Sequence, residues 1–451
     1  YHPTSCTPCT EADKEIAFRL PPGVQLYGGF AGDETARNQR DWTAHPTILS
    51  GDIGVPGDST DNVFNVVIAE NATAATFLDG FIIEEGNADG SFGFSAGGGL
   101  YLDANPGGTA DLQVRHCTFR NNYAGGGGAV AIDCVLGGSS RALFRDCRFE
   151  GNTASLRVVS SGGAVFMHGN GGAQLLPRFV SCTFRNNYCG NDGGAFSATP
   201  TGAGSLLAFV IDSCEFTDNR AADRGGAVWY RMSSDGQSRV RISNSRFYSN
   251  HAGGQGGALF ARSSFGNIAS DTLINCLFAD NATDGSSTVN DGEGGAVFLR
   301  ASQGGTRRHL LANCIFDGNR AADRGGALGT TSFFFDAGTL TADLINCTFY
   351  GNTTPGAGGA LHADGSQGDH TITVANSILW QNRAGGNGNE LFSEGAAVAV
   401  AFSTVDGGIP AGVTDGGNNL DVDPEFADPE NGDLRPTACS PVINAGDNAL
   451  V

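Results

Sequence analysis

The stretch Asn313-Cys-Ile-Phe-Asp-Gly-Asn-Arg-Ala-Ala-Asp-Arg-Gly-Gly-Ala-Leu328 decides the fold, because both of its landmarks recur along the chain. The first landmark is a small residue, an aromatic residue two positions later and an asparagine three positions after that: Cys314, Phe316 and Asn319. The second is Gly-Gly-Ala followed by an apolar residue, which begins at Gly325. A fixed period with insertions at one place is typical of a solenoid.

The two landmarks alternate through the middle of the chain, and most successive copies start about 31 residues apart. The small residue of the first landmark is Cys117, Cys147, Cys182, Cys214, Ser245, Cys276, Cys314, Cys347 or Ser377. The second landmark begins at Gly127, Gly162, Gly193, Gly225, Gly256, Gly294, Gly325 and Gly358, with Gly97 as an early variant.

Within each repeat, apolar residues alternate at period two in short runs, as Cys182 and Phe184 do, and no helical stripe appears. Another apolar residue lies three positions before each cysteine, as Phe179 does, so the chain must bend between the two. In later repeats an asparagine such as Asn313 precedes the cysteine, and asparagine tolerates the left-handed conformation of a corner. We therefore predict an all-β protein, a right-handed parallel β-helix of roughly a dozen coils.

The coils are predicted to form a single elongated domain over residues 1–451. Residues 1–96 have less regular coils, residues 97–382 hold the regular repeats, and residues 383–451 form a degenerate C-terminal part.

Charge and hydropathy narrow the classes of partner and the location of the protein. The formal charge is −21, with 47 acidic and 26 basic residues, and this balance disfavours binding to nucleic acid or anionic membranes. No apolar run approaches the roughly 20 residues of a membrane-spanning helix. No signal peptide is visible and the chain begins at Tyr1, so we expect a mature segment from which the export signal was removed.

The twelve cysteines fall into two groups. Those of the first landmark exchange with serine, and stacked residues in neighbouring parallel strands lie about 4.8 Å apart, rather far for a relaxed disulfide. We interpret them as a ladder of buried thiols. The remaining cysteines are the disulfide candidates, with their pairing left open: Cys6, Cys9, Cys134, Cys189 and Cys439.

The combination of the two landmarks resembles the repeats of polymorphic outer-membrane proteins, which are bacterial surface adhesins with β-helical passenger domains. The flanks resemble secreted bacterial right-handed β-helix proteins of the pectin-lyase-like superfamily. The residues that carry this second resemblance are Tyr27-Gly-Gly-Phe, Arg40-Asp-Trp and Leu78-Asp-Gly-Phe near the start, and Asp423-Pro-Glu-Phe and Ser440-Pro-Val-Ile-Asn near the end. It implies the fold, and it raises the possibility of a lyase that holds calcium on carboxylates of adjacent coils.

The strand after Gly-Gly-Ala offers positions for a binding site, because alternate residues of a strand point to opposite faces. The residue after the alanine is apolar and is predicted to face inward, whereas the next residue and the one two positions further on face outward. Outward rings backed by cations could stack sugars or bury against another subunit. The candidate binding residues of this aromatic-arginine stripe are Tyr101, Phe166, Trp229, Phe260, Phe298, His362, Arg231, Arg262 and Arg300.

Two considerations weigh against a site of this kind. The loops before each Gly-Gly could fold over the aromatic-arginine stripe and bury it. The outward column that contains Arg231, Arg262 and Arg300 has acidic residues such as Asp103 and Asp133 at its ends. No carboxylate cluster stands beside the arginines themselves. We therefore predict no catalytic residues.

No metal-binding motif is present and no cofactor is predicted, although calcium remains possible. Asp223-Arg224 and Asp323-Arg324 are predicted to be surface ion pairs. The places considered for calcium are these pairs and Asp421, Asp423 and Asp428.

Together these features favour a non-catalytic extracellular or cell-surface protein, an adhesin or a structural protein whose subunits stack end to end into fibres. Its expected partners are further copies of itself or surface glycans. The alternative is a calcium-dependent polysaccharide lyase or a glycoside hydrolase.

Overall fold

The computed structural model describes residues 1–90, 95–155, 161–233, 235–287, 292–331 and 338–450. Two compact units are present. The first comprises Tyr1–Ala221, Ala227–Tyr230 and Asp235–Gln237, and the second comprises Ala222–Gly226, Arg231–Ser234 and Ser238–Val451. Each unit is a parallel β-solenoid, which confirms the predicted fold class.

Each solenoid is built from three main sheets and a short fourth ladder. Sheet 1 contains the strands that follow Gly-Gly-Ala, and sheet 2 those that carry the apolar residue before the cysteine. Sheet 3 contains the strands of the first landmark, and sheet 4 the two-residue strands after its asparagine. Neighbouring strands of the four sheets pair in parallel, as Phe119 with Phe149 illustrates.

In the first unit, sheet 1 comprises Phe18–Arg19, Val67–Glu70, Leu100–Ala104, Val130–Cys134, Val165–Gly169 and Phe196–Pro200. Sheet 2 comprises Gln25–Tyr27, Phe77–Asp79, Gln113–Arg115, Ser139–Ser140, Leu143–Arg145, Gln174–Leu175, Arg178–Val180, Leu206–Leu207 and Val210–Asp212. Sheet 3 comprises Thr47–Ser50, Phe81–Glu84, Thr118–Arg120, Arg148–Glu150, Thr183–Arg185 and Glu215–Thr217. Sheet 4 comprises Asn87–Ala88, Tyr123–Ala124, Thr153–Ala154, Tyr188–Cys189 and Arg220–Ala221. Strands Val228–Ser233 and Gln237–Ser238 have residues in both units.

In the second unit, sheet 1 comprises Leu259–Ser264, Val297–Ala301, Leu328–Thr331, Leu361–Asp364 and Leu391–Glu394. Sheet 2 comprises Arg241–Ser243, Ile268–Ile274, Thr306–Ala312, Thr339–Ile345, Asp369–Ala375, Ala397–Ala401 and Thr414–Asp415. Sheet 3 comprises Arg246–Tyr248, Leu277–Ala279, Ile315–Asp317, Thr348–Tyr350, Ile378–Trp380 and Thr404–Val405. Sheet 4 comprises His251–Ala252, Ala282–Thr283, Thr353–Thr354 and Arg383–Ala384.

Helices are few and short in the described chain. They are an α-helix over Glu11–Lys14 and 3-10 turns over Arg37–Gln39, Ser59–Asp61, Pro429–Asn431 and Asn448–Leu450. The C-terminal segment contains an antiparallel strand pair, Phe426–Asp428 with Asp433–Pro436. This segment lies against sheet 3, where the ring of Phe426 meets that of Tyr350 edge-on at 5.6 Å.

The core confirms the inward positions that the repeat predicts. The phenylalanines of the first landmark are buried and stack on one another in successive coils. Ring centroids are 4.5 Å apart for Phe149 and Phe184, and 4.6 Å apart for Phe316 and Phe349. Burying one such side chain stabilises the fold by roughly 1.5–3 kcal/mol, so each column of rings is a major part of the core.

The asparagines of the first landmark form a second internal ladder. The backbone N–H and the side-chain Nδ2 of Asn281 both donate to Oδ1 of Asn319 at 3.0 Å. Nδ2 of Asn281 also donates to the carbonyl oxygen of Phe247 at 2.9 Å. The ladder therefore satisfies polar backbone groups at a buried corner, where an unpaired group would be costly.

The corner before each cysteine has the left-handed conformation that the sequence predicts. Asn275, Asn313 and Asn346 have φ values of 55°, 54° and 55°. Nδ2 of Asn313 donates to Oδ1 of Asn275 at 3.0 Å, and Asn346 bonds Asn313 in the same way. These asparagines thus form an exposed ladder parallel to the buried one.

The thiol ladder is also confirmed, since all of its cysteines are buried and free. Cys314, for example, donates through Sγ to the carbonyl oxygens of Leu273 and Ala312 at 3.5 Å. The sequence left the pairing of the other cysteines open. Cys6 and Cys9 form a disulfide. Cys134 and Cys189 are buried free thiols, and Cys439 is an exposed free thiol.

Candidate functional site

The predicted aromatic-arginine stripe is largely buried. The exposed fractions are 8% for Phe166, 0% for Trp229 and Phe260, 1% for Phe298 and 2% for His362. Tyr101 is partly exposed. The expectation that these side chains stand outward in solvent is therefore wrong for every aromatic member except Tyr101.

Part of the cause is the short segment between Asn219 and Gly225, whose Arg224 covers a ring of sheet 1 as the alternative interpretation held. The guanidinium of Arg224 lies 5.4 Å from the ring centroid of Phe260, and Phe260 stacks on Phe298 at 5.7 Å. A Cβ atom at Gly329 would come within 2.8 Å of the Phe298 ring, so that ring occupies the space beside the glycine. Among the described residues, the rings of Phe166, Trp229, Phe260 and Phe298 are therefore closed to solvent.

The arginines of the stripe differ from one another in exposure. Arg231 and Arg262 are partly exposed, whereas Arg300 is 8% exposed. Burial, together with the nearby charge of Arg224, lowers the pKa of Arg300 to about 10. Nε of Arg262 donates to Oγ of Ser302 at 3.3 Å. We conclude that, of these three arginines, Arg300 alone is buried, so they do not form a uniformly solvent-facing cationic row.

A different set of residues on sheet 1 lies together in the first unit. Glu70, Asp103, Asp133 and His168 are register partners in successive strands. The repeat placed Asp103 and Asp133 in one column but missed Glu70, because the coil of Glu70 lacks Gly-Gly-Ala. The run Val67-Ile-Ala-Glu70, which aligns with Leu100-Tyr-Leu-Asp103, is the signal that could have found it.

This acidic column contains carboxyl groups in two different environments. Asp133 accepts a hydrogen bond from the hydroxyl of Tyr101 at 3.3 Å, and its Oδ1 lies 2.9 Å from Nδ1 of His168. Burial and the charges of Asp133 and Glu70 raise the pKa of Asp103 to about 6. Glycoside hydrolysis uses two neighbouring carboxyl groups, one of which has a raised pKa and acts as the general acid.

The predicted surface ion pairs form, since Nε of Arg224 lies 3.1 Å from Asp223 and Nε of Arg324 lies 3.3 Å from Asp323. Among the described residues, no group of three or more histidine, cysteine, aspartate or glutamate side chains is arranged to hold a metal ion. The C-terminal carboxylates considered for calcium accept hydrogen bonds from neighbouring groups: Asp421 from Gly407, Asp423 from Glu425 and Asp428 from Asn431. Calcium binding stays a prediction.

The three motifs near the start of the chain converge on Arg40. Nη2 of Arg40 lies 2.8 Å from Oδ2 of Asp79, and Nη1 donates to the carbonyl oxygens of Gly28 and Asp79 at 3.1 Å. The guanidinium lies over the rings of Tyr27 and Trp42, at 5.1 and 4.9 Å. The three motifs thus assemble a polar and aromatic cluster around an ion pair, Arg40 and Asp79, whose side chains are each 8% exposed.

The fold and its ladders define the class of this protein as a parallel β-solenoid with stacked cysteine, phenylalanine and asparagine columns. Residues 313–331 and 346–364 match the family model of the Chlamydia polymorphic membrane protein (Chlamydia_PMP) repeat. Each match runs from the asparagine corner before the cysteine to the last residue of a sheet 1 strand. The chain therefore carries repeats of the polymorphic membrane protein type, while the likeness to the pectin-lyase-like superfamily stays a prediction.

No curated protein matches the chain. Across the described residues, no helix is long and apolar enough to cross a membrane.

Proposed function

We propose that this protein is a non-catalytic β-solenoid of the cell surface or extracellular space that acts as an adhesin. The observation that carries the proposal is the match of two coils to a repeat of polymorphic membrane proteins. The landmark residues of those coils, such as Cys314, Phe316 and Asn319, are buried and serve packing and the ladders. The repeat thus supplies a scaffold, and its exterior is available for contacts.

Antibodies raised against the purified chain test this proposal on intact cells that express the protein. We expect labelling without permeabilisation and loss of labelling after external protease treatment. Beads coated with the folded chain should adhere to target cells or glycan surfaces, whereas beads coated with heat-denatured chain should not. Labelling that requires permeabilisation would contradict the surface location.

Fibre formation by a second copy of the chain is supported by one edge strand. Leu26 pairs with the buried Leu78 in an inward-facing column of sheet 2, yet it is 37% exposed, and Val24 is 40% exposed. Within the described residues, strand Gln25–Tyr27 is paired on one side alone, with Phe77–Asp79. An unpaired edge strand with exposed apolar side chains is a template for pairing with another chain.

Analytical ultracentrifugation and electron microscopy test for this association. We expect particles that lengthen with protein concentration and a Leu26→Asp variant that remains monomeric. Leu136→Asp is the matched control, because Leu136 is 65% exposed and lies away from that edge strand. A wild-type protein that stays monomeric at high concentration would reject fibre formation.

Among the enzymatic alternatives, a glycoside hydrolase has a specific observation in its favour, the acidic column of Asp103 and Asp133. If the protein were such an enzyme, Asp103→Asn and Asp133→Asn would each reduce release of sugar reducing ends by about 100-fold or more. Asp364→Asn, at the equivalent position of another sheet 1 strand, is the control. An absence of turnover on a panel of polysaccharides would support the non-catalytic proposal.

A further inference from the structure

The Arg40 cluster borders an open cleft of about 520 Å³ in the first unit. Its polar lining includes Arg37, Arg40, Arg115, Asp79, Gln25 and Asn38. Clefts of 300–1,000 Å³ with a few convergent polar groups are typical of small-ligand sites. The cleft is large enough for one or two sugar rings.

The charges in this cleft do not cancel. Asp79 is the one carboxylate of the lining, and it is already paired with Arg40 at 2.8 Å and with Nδ1 of His116 at 2.9 Å. Among the described residues, no carboxylate lies within ion-pairing distance of Arg37 or Arg115. In a chain of net charge −21, this is a local cationic site.

Arg37 and Arg115 are each held in place by an aromatic ring. The guanidinium of Arg37 lies 4.7 Å from the Tyr27 ring, and its Nη1 donates to the Tyr27 hydroxyl at 2.8 Å. The guanidinium of Arg115 lies 5.1 Å from the ring of Phe77. Nε of Arg115 is buried and makes no hydrogen bond. Arginines that are positioned in this way, with donors still unused, suit recognition of an oxyanion.

The aromatic rings themselves are already engaged. Tyr27 packs against both Arg37 and Arg40, and Trp42 packs against Arg40 and, at 4.2 Å, against His116. Each ring therefore contacts two planar groups, which argues against a stacked nucleobase as the ligand. The amides of Gln25 and Asn38 in the same cleft suit hydroxyl groups.

We propose that this cleft binds an anionic saccharide, whose carboxylate or sulfate interacts with Arg37 and Arg115 and whose hydroxyls interact with Gln25 and Asn38. The inference rests on the proposed function, because it names the ligand class of the adhesin. Arg40 acts as a positioning residue that ties the loop carrying Arg37 and Trp42 to sheet 2.

Isothermal titration calorimetry with three tetrasaccharides tests the inference: chondroitin sulfate, unsulfated chondroitin and the neutral chitotetraose. We expect an acidic tetrasaccharide to bind and chitotetraose not to bind. Arg37→Gln and Arg115→Gln should each weaken binding at least about tenfold, as expected for the loss of a charge-assisted hydrogen bond. Arg145→Gln is the matched control, since Arg145 is exposed, pairs in register with Arg115 in the next coil and lies outside the cleft.

Equal affinity for the two acidic tetrasaccharides would assign recognition to the carboxylate, and binding of the sulfated form alone would assign it to the sulfate. Either result supports the inference. It is overturned if neither acidic tetrasaccharide binds, if chitotetraose binds equally well, or if both glutamine variants bind as wild type does. Surface labelling and bead adhesion that persist without glycan binding would reject this inference and leave the proposed function standing.

Discussion

At the scale of single residues, the buried asparagine ladder of the second unit ends on a carboxyl group. The backbone N–H and Nδ2 of Asn382 donate to Glu390, in the place where other ladder members donate to the next asparagine. Burial raises the pKa of Glu390 to about 8, because desolvation outweighs the two hydrogen bonds that favour the ionised form. Glu390 therefore holds a proton in the folded protein at neutral pH.

Replacing Glu390 by glutamine should change how stability depends on pH. The pKa of Glu390 is raised from 4.5 to about 8 on folding, so the folded protein binds this proton more tightly than the unfolded chain does across that window. The free energy of unfolding of the wild type should therefore fall as pH rises from 5 to 8.5, and Glu390→Gln should remove about 4 kcal/mol of that decrease. Urea unfolding at several pH values measures the difference.

Glu394→Gln is the control for this experiment, because Glu394 ends the strand that follows Glu390 and its side chain is exposed. Parallel pH curves for wild type and Glu390→Gln would contradict the prediction.

At the scale of elements, the two glycines of Gly-Gly-Ala have different roles. Gly325 has a φ of 63°, which favours glycine. A Cβ atom on Gly326 would overlap the carbonyl oxygen of Gly359 and come within 2.8 Å of the backbone nitrogen of Thr353. The second glycine is therefore required by the close approach of the next coil.

We expect Gly326→Ala to destabilise the protein by about 3 kcal/mol or more, because the methyl group meets rigid backbone atoms. Gly351→Ala is the matched control: Gly351 has a φ of 64°, and no atom lies within 4 Å of a Cβ placed there. It should cost about 1 kcal/mol. Chemical denaturation of both variants measures the contrast, and equal losses of stability would refute the role given to Gly326.

At the scale of the whole molecule, the free cysteines should report global unfolding. The ladder thiols are buried, and so are Cys134 and Cys189, whereas Cys439 is exposed. Burial raises the pKa of Cys117 and of Cys189 to about 12, so little of the reactive thiolate form is present near pH 8. In the native protein the ladder thiols are thus protected from thiol reagents both by burial and by protonation.

Reaction with Ellman's reagent at pH 8 should modify Cys439 alone in the native protein and every free cysteine after denaturation. A Cys439→Ser variant should show no reaction until it unfolds. Rapid modification of Cys117 or Cys189 under native conditions, identified by mass spectrometry, would show that the solenoid core opens locally.

Much of the scaffold was predictable from the repeat, whereas the candidate sites were not. Cys314 and Phe316 alternate along one strand, and the period places their equivalents in register in the next coil, so their burial follows from local pattern alone. Phe260 and Trp229 also lie in a strand, but their exposure depends on which loop covers them. No local pattern encodes that cover.

The sequence by itself determined the coil: its period, its inward thiol and phenylalanine columns and its left-handed asparagine corners. These depend on residues close together in the chain and on repetition. The tertiary structure alone decided that the aromatic-arginine stripe is covered, that Glu70 joins Asp103 and Asp133, and that Arg40 gathers residues from Tyr27 to His116 around one cleft. The physical reason is that solvent access and convergence of distant segments depend on how the loops pack over the sheets, which the period of the repeat leaves open.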